Sequence, residues 1–328
     1  MKRNRVFAIL AVLIVAVVAV GSFVRERHAA AGTLPPLVSL VPTDAHFLLY
    51  ADLVTLRDSP LVQRLVAMAP VGTVDRDYAD FVAATGFNYQ QDLDRVVIAS
   101  REDKSSDQTI AFVEGRFNRG KIEQYALRSG KLGHENGRDV YLIPSATKGK
   151  TISVAFLSSD RIALTDGGQL SAAISAAAVP LDPPVRERLS RVAGAPLFAI
   201  AKTPATPGGT GANGKAGGFS ASFQSLRWVS LAARPDGGTL LLSAEGECDG
   251  PNQAQNVAAG LELLRGLLRN GLGDPKARGK MSPDTAAAAD KMLGSAQVTT
   301  DAARVRLLMT ITPEMLPQAT GSISSAGH

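Results

Sequence analysis

The strongest feature in the pattern of apolar and polar positions is a run of nineteen uncharged residues, Val6 to Val24, rich in valine, leucine, isoleucine and alanine. As a helix this run would span roughly 28 Å, close to the ~30 Å hydrocarbon core of a bilayer. A soluble amphipathic helix would show a polar stripe, and the run has none. The sequence therefore predicts a transmembrane helix at residues 6–24.

The charges around the apolar run predict its orientation. Lys2, Arg3 and Arg5 precede it, and basic residues favour the cytoplasmic side of a membrane. We therefore expect a single-pass protein of the bacterial cytoplasmic (inner) membrane, with the C-terminal body outside the cytoplasm. An alternative is a signal peptide cleaved near residues 29–31, which would make the body a secreted protein. The apolar part of a signal peptide is usually about 7–15 residues, so the length favours an anchor.

The first part of the body mixes strand and helix patterns. Strands are expected near residues 46–53, 95–99 and 109–115, the last two flanking a polar loop at 101–108. Ser59, Asp77 and Asn118 begin helices, and Gly86 ends the second of them. Asn136-Gly137 predicts a hairpin turn, and short strands follow at residues 139–143, 152–157 and 161–164. Asp166-Gly167-Gly168 opens an Ala-rich helix.

The pattern then recurs in the second half of the chain. Arg95 and Glu114 return as Arg227 and Glu245, at offsets of 132 and 131 residues. Near-constant spacing over several elements indicates two copies of one β-β-α unit, although two amphipathic hairpin-plus-helix runs can resemble each other without common origin. The predicted organisation is a basic tip, membrane anchor and juxtamembrane stretch at 1–32, units at 33–180 and 181–319, and a disordered tail at 320–328.

The last predicted strand indicates the fold class. Apolar side chains alternate with polar ones from Arg304 to Ile311, which is typical of an antiparallel sheet with one covered face. Helices on one face of such sheets make an α+β protein. We therefore predict two related antiparallel-sheet units with helices packed on one face, after an N-terminal transmembrane helix.

Charge and composition exclude several classes of function. The net charge is +5, but residues 1–32 hold five basic groups and one acidic group, so the rest of the chain is nearly neutral. A near-neutral body lacks the clustered basic charge of a nucleic-acid footprint. One cysteine and four histidines exclude an intrachain disulfide framework and a cysteine zinc site, and leave few ligands for a metal.

Two groups of acidic residues are candidates for catalysis or metal binding. Asp44, His46 and Asp52 are the one acid–histidine cluster near a strand, but no third metal ligand of known geometry accompanies them. Glu114 and Glu245 occupy matching places in the two units, so a carboxylate pair across the units is conceivable. Charged residues on the open face of a sheet are commoner, and repeats reproduce structural charges too.

The remaining candidates are weaker. Gly209 to Gly214, in the Gly-rich loop 203–218, fits a dinucleotide or phosphate loop, but Ala216 stands where magnesium would need a hydroxyl, and no helix follows. Cys248 is expected to be a small half-buried residue, not an activated thiol. Trp228, the only tryptophan, is expected to pack on the sheet, with a binding anchor as the alternative. We assign no catalytic, cofactor-binding or metal residue, and expect no nucleotide or nucleic-acid partner.

The sequence from Leu40 to Leu53, with Pro42, Asp44 and Ala45 leading into the first strand, resembles that of uncharacterised bacterial membrane-anchored envelope proteins. The resemblance implies an N-terminal anchor and repeated α+β units. It implies no activity and no functional residue.

These observations favour a non-catalytic extracytoplasmic envelope protein that acts by binding or structural interaction. Two alternatives stay open. The first is a carrier of an apolar or lipid ligand between the two sheets. The second is a hydrolase whose site is built from scattered aspartates and glutamates.

Overall fold

The computed structural model describes residues 34–68, 76–103, 106–144, 151–166, 182–203, 223–273 and 283–316, together with Leu170 and Ile174. These residues form an α+β fold built on one twelve-stranded antiparallel sheet. No helix in these ranges is long and apolar enough to cross a bilayer. The predicted anchor at 6–24, the Gly-rich segment 204–218 and the tail 320–328 lie outside the described residues.

Helices and strands alternate in groups along the described chain. Short 3₁₀ turns at Pro36–Leu40 and Pro313–Met315 flank the fold. The strands are β1 (Phe47–Asp52), β2 (Leu93–Asp103), β3 (Ser106–Gly115), β4 (Lys131–Glu135), β5 (Arg138–Pro144), β6 (Thr151–Phe156), β7 (Arg161–Thr165), β8 (Leu197–Lys202), β9 (Leu226–Asp236), β10 (Thr239–Cys248), β11 (Gln297–Asp301) and β12 (Arg304–Ile311). The helices are α1 (Leu53–Arg57), α2 (Pro60–Met68), α3 (Arg76–Thr85), α4 (Tyr89–Asp92), α5 (Arg119–Ser129), α6 (Pro183–Val192), α7 (Pro251–Gly273) and α8 (Pro283–Gly294).

The two halves of the chain meet at the centre of the sheet. The strand order is β11-β12-β10-β9-β8-β1-β2-β3-β7-β6-β5-β4, and β1 pairs with β8 from Phe47 opposite Ala201 to Ala51 opposite Leu197. Counted outward from the centre, β1-β2-β3-β7-β6 on one side corresponds in order to β8-β9-β10-β12-β11 on the other. The halves therefore share one continuous sheet, and the first half extends it by the β4–β5 hairpin.

Both faces of the sheet are covered, which corrects the expectation of helices on one face. We call front the face of Leu48, Tyr50 and Phe198, which packs against α6, the first 3₁₀ turn and Leu170. We call back the opposite face, where α5 packs on β5, β6 and β7. The same face carries α2 and α8 near β10 and β12, and α7 beside Cys248 and Val305. The reason lies in the central strands: β2 buries Val96, Val97, Ile98 and Ala99 consecutively, so both of its faces need cover.

Local sequence signals give several elements their limits. Asn118 Oδ1 accepts the Lys121 N–H at 3.2 Å and so begins α5, as a side-chain N-cap does. Gly86, at φ +74°, follows the last residue of α3, and Asn136-Gly137 forms the β4–β5 turn with positive φ at both residues. These three predictions are confirmed. In β12, Val305, Met309 and Ile311 are buried while Arg304, Arg306 and Thr310 are half-buried, which confirms the predicted alternation.

Some boundaries differ from the expectation. Residues 101–103 and 106–108 continue β2 and β3 as a paired ladder, where a polar loop was predicted. The polar side chains are compatible with strand pairing because Arg101 Nε donates to Gln108 Oε1 across the ladder at 3.0 Å. The edge strands β4 and β11 and the helix α6 were not predicted, because their short sequences carry little periodicity. The helix predicted after Asp166 falls almost wholly outside the described residues.

Candidate functional site

Glu245 is the centre of a charge cluster on the front face. It lies in β10, is 8% exposed, and faces Arg306 of β12 in the strand register. Its Oε2 accepts the Arg306 Nη2–H at 2.9 Å. Arg191 of α6 approaches from above, with Nε 2.7 Å from Glu245 Oε1, although this N–H is not aligned for a hydrogen bond. A buried carboxylate thus lies between two guanidinium groups.

The same cluster fastens α6 to the sheet. Glu247, two residues along β10, accepts hydrogen bonds from Arg191 and from Arg188 Nε, the latter at 2.8 Å. The Arg188 guanidinium also lies 4.3 Å from the centre of the Trp228 ring, within the range of a cation–π contact. Trp228 is half-buried and packs against the front core. These contacts confirm that Trp228 packs on the sheet, where its ring lies between the front core and the Arg188 guanidinium.

Glu114 occupies the related place in the first half, in β3. It is also 8% exposed, and it accepts hydrogen bonds from Arg95 Nη1 at 3.2 Å and Arg161 Nε at 2.6 Å. Arg95 also pairs with Asp52 at 3.4 Å. Burial, and then the Asp52 charge, raises the pKa of the neighbouring Tyr50 to about 12. These acids are matched by arginines and stabilise the sheet.

The two glutamates do not form a catalytic pair. Between β3 and β10 lie β2, β1, β8 and β9. Neighbouring strands are about 4.8 Å apart, so Glu114 and Glu245 are separated by about 24 Å. General acid–base catalysis by a carboxylate pair needs both groups near one bond. The register also corrects the matching of the arginines: Ser230, not Arg227, lies opposite Glu245, and Arg227 pairs with Asp249 at 2.6 Å.

The acid–histidine cluster of the sequence is not assembled either. Asp44 lies before β1 and pairs with Arg101 at 3.7 Å. Asp52 ends β1 and caps α1 by accepting the Thr55 N–H at 3.1 Å, so the two acids lie at opposite ends of the strand. His46 precedes β1 near Asp44. Within the described ranges, no group of three or more histidine, cysteine or acidic side chains is placed to hold a metal ion.

Cys248 ends β10 and is buried beside Ala254 and Val257 of α7. Burial raises the pKa of its thiol, and a hydrogen bond with Ser225 opposes that effect. A raised pKa lowers the fraction of reactive thiolate, so Cys248 acts here as a small core residue.

An apolar ridge on α7 is the feature that the sequence reasoning missed. The first half of α7 packs on the sheet through Ala254 and Val257, which are 0% and 1% exposed. The helix continues to Gly273, and in this second half Leu263, Leu267 and Leu268 are 59%, 58% and 47% exposed. We call these three leucines the α7 ridge. Contiguous exposed apolar groups, unlike scattered ones, mark interaction surfaces.

Leu263 and Leu267 of the ridge lie on the side of α7 away from the flank that contacts α8. On that flank Arg269 Nε pairs with Asp290 at 3.0 Å, and Arg265 donates to the Ala296 carbonyl. These contacts fix the helix while Leu263 and Leu267, one helical turn apart, project from it. The sequence signal was present, since four leucines stand at 263, 264, 267 and 268. Without the fold, they read as a core-facing stripe.

A shallow cavity of about 220 Å³ lies where the α1–α2 turn meets the β9–β10 hairpin. Its volume is below the ~300–1,000 Å³ of typical ligand sites. The lining includes Asp58, Asp236 and the two glycines Gly237 and Gly238, with no large apolar side chain. This lining does not fit an apolar ligand.

Comparison with known proteins gives a limited result. No family model and no curated protein matches the chain. Solved structures of a protein called TP0453 are similar in three crystal forms, each over 86% of this chain. Crystal form III has 13% identity, a TM-score of 0.46 and 96% of its own length covered. Crystal form IV has 12%, 0.47 and 94%, and crystal form I has 13%, 0.43 and 95%.

Proposed function

We propose that this chain is a non-catalytic envelope protein whose body lies outside the cytoplasm and acts by binding an apolar partner through the α7 ridge. The observation that carries the proposal is the exposure of Leu263, Leu267 and Leu268 on an otherwise fixed helix. The uncharged run at 6–24 supports placement in the membrane by an anchor, with secretion after cleavage as the alternative.

The energetics of the ridge support binding. Full burial of one leucine side chain contributes about 1.5–3 kcal/mol. The three leucines leave about half of their side chains exposed, so covering them would contribute about 3 kcal/mol in total. A partner that covers the ridge therefore gains roughly a hundredfold in affinity from these side chains.

The ion pairs of the buried glutamates support a structural and not a catalytic role for these residues. Glu114 and Glu245, which the hydrolase alternative would use, each hold two arginines within 3.3 Å. The carrier alternative placed its ligand between two sheets, and the pairing of β1 with β8 joins the halves into one. We therefore expect an apolar ligand, if one binds, to contact the α7 ridge.

We also propose that the two halves are related units, within boundaries near 33–180 and 181–319. Their strand orders correspond from the centre outward. In each half a buried glutamate faces an arginine of the next strand, Glu114 opposite Arg161 and Glu245 opposite Arg306. Duplication of one unit accounts for both similarities.

Photo-crosslinking tests the binding surface in cells that express the full chain. A photoreactive amino acid replaces Leu267 in one variant and Leu127 of α5 in a matched control, since Leu127 is 48% exposed but stands apart from the ridge. We expect adducts at position 267, identified by mass spectrometry, and few at 127. The change Leu263→Gln preserves helix propensity and is expected to reduce the adduct at 267 about fivefold to tenfold.

The control at position 127 distinguishes specific binding from non-specific crosslinking of exposed leucines. Equal labelling at positions 127 and 267, or no effect of Leu263→Gln on labelling at 267, contradicts the proposed surface. The identity of the adduct then separates the two kinds of apolar partner, an envelope protein and a lipid.

A further inference from the structure

The outer edge of β11 is an open end of the sheet. Among the described residues β11 pairs with β12 alone, and four of its five residues are exposed. The opposite edge, β4, is protected by charge because Lys131 and Glu135 lie along it. β11 carries one charge, Asp301, next to the turn, and no lysine or proline. Natural sheet edges usually carry such protection against pairing with another chain.

The direction of the free backbone groups can be worked out from the register. Cys248 N donates to the Ala303 oxygen at 2.8 Å, so alternate residues of β12 starting at 303 direct their backbone toward β10. The residues between them, Arg304 and Arg306, direct their backbone toward β11, where they face Asp301 and Thr299. The N–H and C=O groups of Val298 and Thr300 therefore point outward.

The first half of the chain shows what this edge can hold. β6 takes the place in the first half that β11 takes in the second, next to β7 and β12 respectively. The outer edge of β6 is paired with β5, for example Tyr141 opposite Val154. The place outside β11 is thus one that the same architecture fills with an antiparallel strand.

We infer that β11 pairs antiparallel with β11 of a second copy of this chain, with Thr299 opposite Thr299. In this register Val298 faces Thr300 of the other copy, so the outward groups of both strands form about four hydrogen bonds. Gln297 faces Asp301, and no like charges are opposed. A threonine pair is a favourable cross-strand contact, and the pairing is two-fold symmetric and closed.

The association is weak in free solution. A five-residue strand offers far less contact than the about 800 Å² per partner of a standard interface. Confinement of both copies to one membrane raises their effective concentration, so we expect the dimer in membranes. The inference rests on the proposed membrane anchor but not on the α7 ridge, because the pairing groups are the backbone N–H and C=O groups of Val298 and Thr300.

Disulfide trapping of the full chain in its native membrane tests this register. Across a non-hydrogen-bonded pair the Cα atoms lie about 4.5 Å apart, within disulfide range. Thr299→Cys is therefore expected to give a disulfide-linked homodimer on mild oxidation. In the control, Thr300→Cys, equivalent residues are diagonal neighbours about 7–8 Å apart and should yield at least tenfold less. The native Cys248 is buried, so the unmodified chain gives the background.

A charge exchange provides a second readout. Chains with Thr299→Lys, or with Thr299→Glu, oppose like charges in a homodimer and should lose co-purification of differently tagged copies, and mixing the two variants should restore it. Absence of the Thr299→Cys dimer, equal trapping at 299 and 300, a disulfide to a different protein, or no rescue by mixing would each overturn the inference.

Discussion

Replacement of Glu245 by glutamine tests whether the front-face charge cluster fastens α6. The substitution keeps the shape of the side chain and removes its charge. It leaves Arg191, whose side chain is 18% exposed, without one of its carboxylate partners. Arg306 is 38% exposed and stays hydrated. The effect should therefore arise mainly from the buried guanidinium of Arg191.

The magnitude follows from burial. Removing one partner of a buried ion pair costs about 3–5 kcal/mol, because the other charge is left uncompensated. Arg191 retains Glu247 and Glu187 as partners, which lowers the expected loss for Glu245→Gln to about 2–3 kcal/mol.

Glu114→Gln is the matched control. Glu114 has the same 8% exposure as Glu245 and also two arginine partners. Those partners, Arg95 and Arg161, are 42% and 38% exposed, so water solvates them when the carboxylate is removed. Exposed ion pairs contribute about 0–1 kcal/mol, and we expect a loss below about 1 kcal/mol for the control.

Urea unfolding of the full chain in detergent micelles, followed by tryptophan fluorescence, measures both changes. Trp228 is the only tryptophan, and it lies beneath Arg188 of α6, so its emission reports the release of this helix. A loss for Glu245→Gln equal to or smaller than that for Glu114→Gln would show that the pairing to α6 is unimportant, and would refute the reasoning from burial.

Two further outcomes are expected in the same unfolding assay. The pKa of Tyr50 is raised to about 12 by burial and by Asp52, so between about pH 10 and 12 the unfolded chain loses a proton that the folded chain keeps. The free energy of unfolding should therefore fall as the pH rises through this range. Tyr50→Phe removes the ionising group, so the slope of the free energy of unfolding against pH should become shallower by about 1.4 kcal/mol per pH unit. Near neutral pH this ionisation does not contribute to stability. A Cβ atom on Gly130 would lie 2.5 Å from the Leu142 carbonyl oxygen, so Gly130→Ala should destabilise by about 1–3 kcal/mol. A Cβ atom on Gly120 would have Asn118 Oδ1 as its nearest neighbour, at 4.0 Å, so Gly120→Ala should instead be neutral or stabilising by up to ~1 kcal/mol. Equal losses at both glycines would contradict this account.

Elements whose ends depend on their own residues were predictable. The Asn118 cap, the Gly86 terminus and the Asn136-Gly137 turn each follow from the chemistry of one or two side chains. β4 and β11 were not predictable in this way, because five-residue edge strands are stabilised by pairing with a neighbour and carry weak local signals.

The two-sided cover of the sheet had a sequence signal that was open to a different interpretation. Val96, Val97, Ile98 and Ala99 are consecutive apolar residues, a pattern typical of strands buried on both faces. The alternation in β12 pointed to one covered face instead, and it is correct for that strand. A central strand and a strand near the edge of one sheet therefore obey different patterns.

The charge cluster depends on contacts that span the chain. Glu245 and Arg306 are brought together by strand register, and Arg191 arrives on a helix 54 positions earlier in the sequence than Glu245. A sequence shows which charges exist but not which ones share a strand pair or lie under a helix. The matching of Arg95 with Arg227 was wrong for this reason, since the unbroken register from Thr239 opposite Asp236 to Glu247 opposite Trp228 places Ser230 opposite Glu245.

The differences between the halves explain why both proposed interaction surfaces lie in the second one. After the helix that follows its central hairpin, the first half adds the β4–β5 hairpin, in which β5 pairs with β6 and β4 becomes the edge strand. The second half has instead the 23-residue helix α7 followed by α8, and its sheet stops at β11. If the halves are duplicated units, exchanging a hairpin for a longer helix leaves two surfaces unsatisfied at once: the backbone edge of β11 and the α7 ridge. A photo-crosslink at position 267 without a Thr299→Cys disulfide dimer, or the dimer without the crosslink, would show that only one of the two surfaces binds a partner.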